Sequence, residues 1–419
     1  MPRLSPIRTP VTIDFEGTQL EAEAGEPLAC ALIAQGELLF SRSVKYHRPR
    51  GPFCLTGGCS NCLMRVDGVP NVQTCTTLTR AGMRLERQNS FPDAAIDMFA
   101  ANDLVFRKWF NHHEFLAGVP IIEKVLLRVA RKLAGLGELP DKAPEEVPPA
   151  KSEELDLVIV GGGAAGLAAA RRLSERNVPY TLIEREPVLG GRLISSAELG
   201  LGAVYQPVAT QVRLGSTVLG LFADAGRPFL ASLWQGQLHV TYFKRLLLTL
   251  GGQSTLLPFE NNDLPGVFAG RALARLIRRH QVLPGERVAC VGELEEARAL
   301  ARLVTSVGGT AVAVGEEPLR AHGLQRVTGV TTSKGRVDCD AIALCATDSP
   351  SFELARAGGA RVVWDVRHKV FVVEADASGR TANPNLFVAG EQRGPMSAAA
   401  AAEAGMLAAE ALATAGVAS

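Results

Sequence analysis

The sequence predicts a multidomain chain that joins α+β and α/β architecture, and three observations carry that prediction. Cys54, Cys59, Cys62 and Cys75 stand in a C-x4-C-x2-C run with the fourth cysteine beyond a hairpin signal. Pro140 to Glu154 is rich in proline and charge and reads as an extended linker. After it, two segments each pass from an apolar strand through a glycine turn into a helix, the pattern of a dinucleotide-binding lobe.

In chain order, Val11 to Glu23 reads as two strands around Gly17, and Glu26 to Gln35 as a short helix ended by Gly36. The cysteine run follows, and its spacing has a geometric reason. Two irons bridged by two sulfides need four outer ligands around a compact core. A short loop supplies three, with Gly57 and Gly58 expected to let the backbone curl and aim its N–H groups at the sulfurs. Leu63 to Val66 reads as a strand and Asp67-Gly68 as a tight turn, so the chain folds back and returns Cys75 to the loop. The expected metal ligands are therefore Cys54, Cys59, Cys62 and Cys75, holding a [2Fe-2S] cluster. Zinc is the first rival, but its sites pair such a knuckle with a second CxxC or with nearby histidines, and neither is present. A disulfide framework is the second, and the length of the chain and its start without an apolar leader argue against it. Cys30, Cys290, Cys339 and Cys345 lie among apolar residues and read as small core residues. Two strands, a helix and a hairpin fit a β-grasp domain of plant-ferredoxin type over residues 1–100.

Residues 101–154 read as a helical segment and the linker. Asp103 to Leu136 is mostly helical in pattern, with a break near Gly118-Val-Pro120. Ile121 to Leu133 sets arginines and lysines opposite Ile, Val and Leu, a face suited to packing on the protein or on a partner subunit more than to a membrane surface. His112, His113 and Glu114 read as surface or interface residues, because adjacent side chains on a helix diverge.

From Leu155 an apolar strand runs into Gly161-Gly-Gly163-Ala164-Ala165-Gly166. Gly161 makes the tight turn, Gly163 lets a pyrophosphate approach, and Gly166 lets helix and strand pack closely. The helix N-terminus then faces the phosphates. Tyr180 to Glu184 reads as the next strand, with Glu184 placed to accept hydrogen bonds from a ribose diol. Gly191 and Arg192 follow in Leu189-Gly-Gly-Arg192, as in many FAD enzymes. Near the C-terminus, Asn385-Leu-Phe-Val-Ala-Gly390-Glu391 precedes an alanine-rich helix. It resembles the second flavin motif of the FAD-dependent pyridine-nucleotide reductase superfamily, whose acid, usually Asp, binds the ribityl chain; Glu391 is one methylene longer. The expected cofactor-binding residues are Gly161, Gly163, Ala164, Ala165, Gly166, Glu184, Gly191, Arg192, Gly390 and Glu391. The expected division is an FAD-binding domain over 155–258 and 355–419, interrupted by a second Rossmann-like lobe over 259–354.

That second lobe reads as degenerate. In Glu286 to Ala297 the strand and Gly292 survive, but Leu294 stands where the second glycine belongs. Glu293, Glu295 and Glu296 crowd the helix N-terminus, where they satisfy the dipole and repel a phosphate. NAD(P) is not expected to bind there. Residues 190–250 contain no cysteine, which argues against a redox disulfide beside the flavin.

The whole chain resembles the α-subunit family of heterotetrameric sarcosine oxidase, with hydrogen cyanide synthase A and B subunits, opine oxidases, and multisubunit proline or hydroxyproline dehydrogenases. The resemblance rests on Ser43-Val-Lys-Tyr-His-Arg-Pro-Arg-Gly51, Arg87-Gln-Asn-Ser-Phe-Pro92, Asn102-Asp-Leu104, Ala134-Gly-Leu-Gly137 and Asn262-Asp-Leu-Pro-Gly-Val-Phe268, in the family's order. Sarcosine oxidase α looks to lack the four cysteines. This chain looks to end without the folate-type domain of that subunit, and reads as the ferredoxin and flavin subunits of its other relatives fused. The resemblance implies a partner subunit of the flavin amine-oxidase type that oxidises an amine or amino acid, a further small subunit in some complexes, room for an FMN between subunits, and an acceptor such as a quinone.

Composition sets the remaining bounds. The 419 residues are 47% hydrophobic and 21% charged, enough for full cores, and the net charge of +1 gives no reason to expect nucleic acid. No apolar run reaches transmembrane length, so the expected compartment is the cytoplasm, with any membrane contact made through the complex. Arg42, Lys45, His47, Arg48 and Arg50 precede the cysteine loop and serve either to steer an acidic electron partner or to pack locally. The leading function is an FAD and [2Fe-2S] electron-transfer subunit of an amine or amino-acid dehydrogenase. A stand-alone NAD(P)H-dependent reductase and a mainly structural subunit are the alternatives. No side chain stands out as a catalytic acid, base or nucleophile.

Overall fold

The computed structural model describes residues 3–44, 46–90, 93–100, 148–195, 207 and 212–415. The helical reading of 103–136, with His112, His113 and Glu114, lies outside them, as do the resemblance motifs at 102–104 and 134–137. Two compact units are present, 1–141 with 256–346, and 142–255 with 347–419.

The first unit opens with a five-stranded sheet in the order Thr18–Glu23, Pro10–Phe15, Arg84–Glu86, Leu63–Val66, Val69–Gln73. Its first two strands join through Glu16 and Gly17, both at positive φ (52° and 85°), as a two-residue hairpin requires. Asp67 and Gly68 repeat the device at 50° and 81°. Pro10–Phe15 and Arg84–Glu86 run parallel in the middle, the β-grasp arrangement. The helix Leu28–Ala34 begins after Pro27, and all seven of its residues are buried. A helix apolar on every side belongs inside the unit.

The same unit contains a four-stranded parallel sheet, Val267–Ala269, Ala341–Cys345, Arg287–Gly292 and Thr310–Val314, with the helices Gly270–His280 and Leu294–Ser306. A meander of Pro318–His322, Gly329–Thr332 and Gly335–Asp338 is added. Cys30, Cys290, Cys339 and Cys345 are buried. Burial pushes the thiols of Cys290 and Cys339 up to about 12, which makes them inert.

The second unit is built on a seven-stranded sheet. Thr181–Ile183 and Gln237–Leu248 flank Lys151–Val160, both parallel to it, and Leu386–Val388 adds to the far end of Gln237–Leu248. The central strand starts at Lys151, so the expected linker gives up its last four residues to the sheet. The reason is pairing: Lys151 to Glu154 bond along His239 to Tyr242, and Glu153 is gripped by Arg213 (2.5 and 2.7 Å) and by the Thr241 hydroxyl (2.6 Å). The Arg213 guanidinium holds the Glu153 carboxyl below the usual range.

Helices Ala164–Glu175 and Ala398–Ala415 cover one face of this sheet through small residues. A Cβ on Gly405 would lie 2.1 Å from the Ala165 carbonyl oxygen, a backbone atom that cannot move aside cheaply. Gly405→Ala is therefore expected to cost about 1–3 kcal/mol by overpacking. Thermal unfolding checks it, and an unchanged midpoint refutes it.

Candidate functional site

The four expected cysteine ligands come together in the first unit. Cys54, Cys62 and Cys75 are buried and Cys59 is half-buried, and all are free thiols. Their thiols influence one another in pairs, Cys59 with Cys54, Cys54 with Cys75 and Cys75 with Cys62. Hydrogen bonds from Cys59 and Cys75 hold Cys54 well below the usual thiol range, and one from Cys75 lowers Cys62. Giving those hydrogen bonds pushes Cys59 and Cys75 up. Backbone N–H groups also point at sulfur, with Thr56 donating to Cys54 Sγ at 3.5 Å, Asn61 to Cys59 and Cys75 to Cys62. Four cysteines gathered from the loop and the hairpin beside it, three of them buried, form the donor set a [2Fe-2S] core needs. Among the described residues no three His, Cys, Asp or Glu side chains are grouped as a single ion requires.

The loop conformation departs from expectation at one point. The left-handed residues are Gly57 (φ 74°) and Leu55 (φ 52°), not Gly58. A Cβ on Gly57 would meet Thr76 Cγ2 at 2.9 Å, so the loop needs glycine there for space as well as for φ. Gln73 closes the loop from the hairpin side, its amide donating to the carbonyls of Gly57 (3.3 Å) and Cys59 (3.2 Å). Thr74 does the same for Cys62, hydroxyl to carbonyl at 2.8 Å. Neither residue was singled out in the sequence; their position just before Cys75 is the only signal.

The basic stretch before the loop is spent internally. Arg42 and His47 are buried with Asp97, His47 Nδ1 lying 2.7 Å from its Oδ2, while Arg42 donates to the carbonyls of Ala94 and His47. Arg48 and Arg50 both reach Asp263. Of the two readings of this stretch, local packing is the one the contacts favour; Lys45 lies outside the described residues.

In the second unit the glycine turn has the geometry its sequence promised. Gly161 stands at φ 108°, and a Cβ there would lie 2.4 Å from the Thr249 carbonyl oxygen. A Cβ on Gly166 would lie 1.9 Å from the Gly161 carbonyl oxygen. Around Gly163 no atom lies within 4 Å of an added Cβ, so the turn leaves open space at the N-cap of the Ala164–Glu175 helix. No side chain caps that helix and its first turn, Ala164, Ala165 and Gly166, holds no acid. The open, uncompensated N-terminus fits a pyrophosphate. Gly162 is constrained too, its N–H donating to Glu184 Oε2 at 2.5 Å. Glu184 also accepts from Glu186 N–H at 2.7 Å, and burial raises its carboxyl above the usual range. Gly191 packs on Gly163, an added Cβ falling 3.2 Å from its Cα. Arg192 Nη1 pairs with Glu391 Oε1 at 2.5 Å, and Gly390 (φ 77°) abuts Ala165. Contacts thus bring the ten expected cofactor residues together around the glycine turn. Gln392, overlooked in the sequence, is fully buried and stitches it, donating to Ser351 O (2.8 Å) and accepting from Leu250 N–H (3.1 Å).

The second Rossmann-like lobe has the opposite chemistry at its glycine turn. Gly292 keeps φ 119° against the Cys345 carbonyl. Leu294, however, packs over Gly315 at the end of the next strand, where an added Cβ would meet its side chain at 2.9–3.2 Å. Glu295 and Glu296 occupy the first turn and Glu293 the N-cap.

Comparison with known proteins places these sites in a family. The family profile described as 2Fe-2S iron-sulfur cluster binding domain matches residues 8–90, and that described as NAD(P)-binding Rossmann-like domain matches 159–218. Sarcosine oxidase subunit alpha of Rhizobium meliloti is 27% identical over 428 residues, covering 88% of this chain and 43% of that protein. Hydrogen cyanide synthase subunit HcnA of Pseudomonas aeruginosa is 35% identical over 83 residues, which span 79% of it and 20% of this chain. The chain belongs to the sarcosine oxidase α-subunit and hydrogen cyanide synthase family. It spans less than half the length of the sarcosine oxidase α subunits it matches. L-proline dehydrogenase of P. horikoshii shares the fold, with a TM-score of 0.76, 22% identity, and coverage of 99% of this chain and 75% of that one.

As a member of this oxidoreductase family the chain carries a [2Fe-2S] domain and an FAD-binding flavoprotein fold. Among the described residues no helix is long and apolar enough to cross a membrane.

The buried Glu184 makes the stability of this unit pH-sensitive. A carboxyl whose folded pKa lies above its unfolded one adds stability below the unfolded pKa, and that contribution is lost as pH rises through the folded value. Flavin-free protein should therefore gain stability on going from pH 7 toward pH 5, and Glu184→Gln should reduce that gain. Denaturant titrations at both pH values check the slope; equal slopes in both proteins refute it.

Proposed function

We propose that this chain is the FAD and [2Fe-2S] electron-transfer subunit of a multisubunit amine or amino-acid dehydrogenase. Cys54, Cys59, Cys62 and Cys75 would hold the cluster. Gly161, Gly163, Gly166 and the N–H groups of Ala164 and Ala165 would hold the pyrophosphate, Glu184 the ribose, and Gly191, Arg192, Gly390 and Glu391 the remainder of the FAD. Arg192 neutralises Glu391, so that the longer acid is presented to a ribityl hydroxyl as one half of an ion pair. FAD supplies exchange between electron pairs and single electrons, and the cluster carries one electron at a time. The expected division at residues 100, 258 and 354 remains part of this reading, with the flavin domain beginning at Lys151 rather than at 155.

One observation carries the proposal: a one-electron site and an open dinucleotide site share a chain whose second lobe fills its own dinucleotide end with Leu294 and three glutamates. Reducing equivalents would then come from a partner, a flavin amine-oxidase-like subunit acting on a sarcosine-, proline-, hydroxyproline- or opine-type substrate. They would leave to a quinone or another one-electron acceptor. That sarcosine oxidase subunit alpha and HcnA are named as subunits supports a hetero-oligomer. A peripheral cytoplasmic complex fits this reading, as does an FMN at a subunit interface.

Two measurements test it. Cys59→Ser should cost the purified, air-protected protein most of its iron and acid-labile sulfide and slow turnover of the complex with its physiological acceptor. Undiminished turnover would favour a structural subunit instead. Anaerobic addition of NADH or NADPH should leave the flavin absorption unbleached; rapid bleaching by either would make the chain a stand-alone reductase.

A further inference from the structure

The cysteine loop is held from two sides. On the hairpin side Gln73 and Thr74 tie it to the β-grasp sheet. On the other side, the backbone ahead of Cys54 pairs with Ser41–Arg42, with Phe40 N–H donating to the Arg50 carbonyl at 2.8 Å, and is gripped further by one segment of the second lobe. Asp263 is buried and pairs with Arg48 Nη1 (3.4 Å) and Arg50 Nη1 (3.2 Å). Asn261, in a left-handed conformation at φ 61°, accepts from Arg48 Nη2 at 2.7 Å. Gly51 lies against Pro265, where an added Cβ would fall 3.1 Å from Pro265 Cα and 2.3 Å from the Leu38 carbonyl oxygen. Ala269 N–H donates to the Phe53 carbonyl at 3.1 Å, one residue before Cys54. Residues 261–269 run directly into the parallel sheet and the Gly270–His280 helix, so these contacts are backed by a rigid core.

We infer that the second lobe, with its dinucleotide end filled by its own side chains, serves as the mount of the cysteine loop, and that Asp263 is its principal positioning residue. This rests on the four cysteines holding the cluster. The physical reason is charge and backing together. Arg48 and Arg50 flank Pro49 in the segment that leads to Cys54, and the buried Asp263 carboxylate reaches both. Removing its charge weakens the hold on both arginines and loosens the tie between this segment and the second lobe, so that the Cys54 end of the ligand set shifts against the Cys75 end.

The test uses the full chain with its cofactors. Asp263→Asn keeps the shape and removes the charge. Iron release to a chelator should accelerate about 10-fold, the scale seen when groups supporting metal ligands are lost. The g-values of the reduced cluster and its midpoint potential should move, while FAD content stays at the wild-type level. Asp263→Glu should recover most of the slow release. Wild-type release and unaltered g-values in Asp263→Asn would overturn the inference, as would a lowered melting temperature with an unaltered spectrum and potential. If Asp263→Asn does not accumulate folded, Asn261→Ala decides on the same readouts, and unaltered release there overturns the proposal. Absence of iron from the wild type would sink the cluster assignment itself, a different failure.

Discussion

Whether a helix N-terminus is left open or is neutralised by its own chain decides what each lobe of this protein can hold. The helix Ala164–Glu175 begins with no capping side chain, no acid in its first turn and empty space at Gly163. Its unsatisfied N–H groups and dipole favour an anion placed there. The helix Leu294–Ser306 has Glu295 and Glu296 in the same turn, each worth about 0.3–1 kcal/mol to the helix itself. A phosphate arriving there would give up that stabilisation and meet like charge. The two turns share a backbone, since Gly161 and Gly292 both stand near φ 110–120° against a facing carbonyl oxygen. Side chains alone separate a dinucleotide site from a lobe of the same shape.

Charge is managed in the same local way around the cysteines. Four sulfurs bound to a metal core concentrate negative charge in a buried place, and N–H groups of Thr56, Asn61 and Cys75 already point at them. The arginines of the preceding stretch do not face this charge. Arg42 is turned to Asp97 and to carbonyls, Arg48 and Arg50 to Asp263. Arginines paired with buried carboxylates define where a segment lies more than they add to stability, which is the use a loop of fixed ligand geometry has for them.

Much of this was legible in the sequence because it depends on backbone rules. Asp67-Gly68 and the glycine after Glu16 announce two-residue hairpins, and Gly161 and Gly166 announce close backbone contacts that the distances to Thr249 and Gly161 bear out. What stayed hidden depends on partners far away in sequence. Glu153 looks like linker charge until Arg213 and Thr241 are beside it. Arg87 drew notice only as part of a resemblance motif, yet it bonds Glu16, Glu37 and the Leu39 carbonyl and lies over the Phe15 ring. Gln73 and Gln392 are ordinary polar residues until their carbonyl partners are known. Leu55 is the clearest local failure, because nothing in a leucine advertises a left-handed backbone.

A lobe without a ligand must still fold, and its composition explains how it does. A dinucleotide at 100 times its dissociation constant would contribute about 2.7 kcal/mol to the folded state. Leu294 resting on Gly315 recovers about 1–2 kcal/mol of that by removing apolar surface from water, and the first-turn glutamates contribute on a similar scale. The sheet beneath needs no help from a ligand, since Val288, Ala289, Cys290, Val291, Ile342, Ala343 and Leu344 are all buried. The lobe's opposite connections, beginning at Asn261, are then available for a structural task.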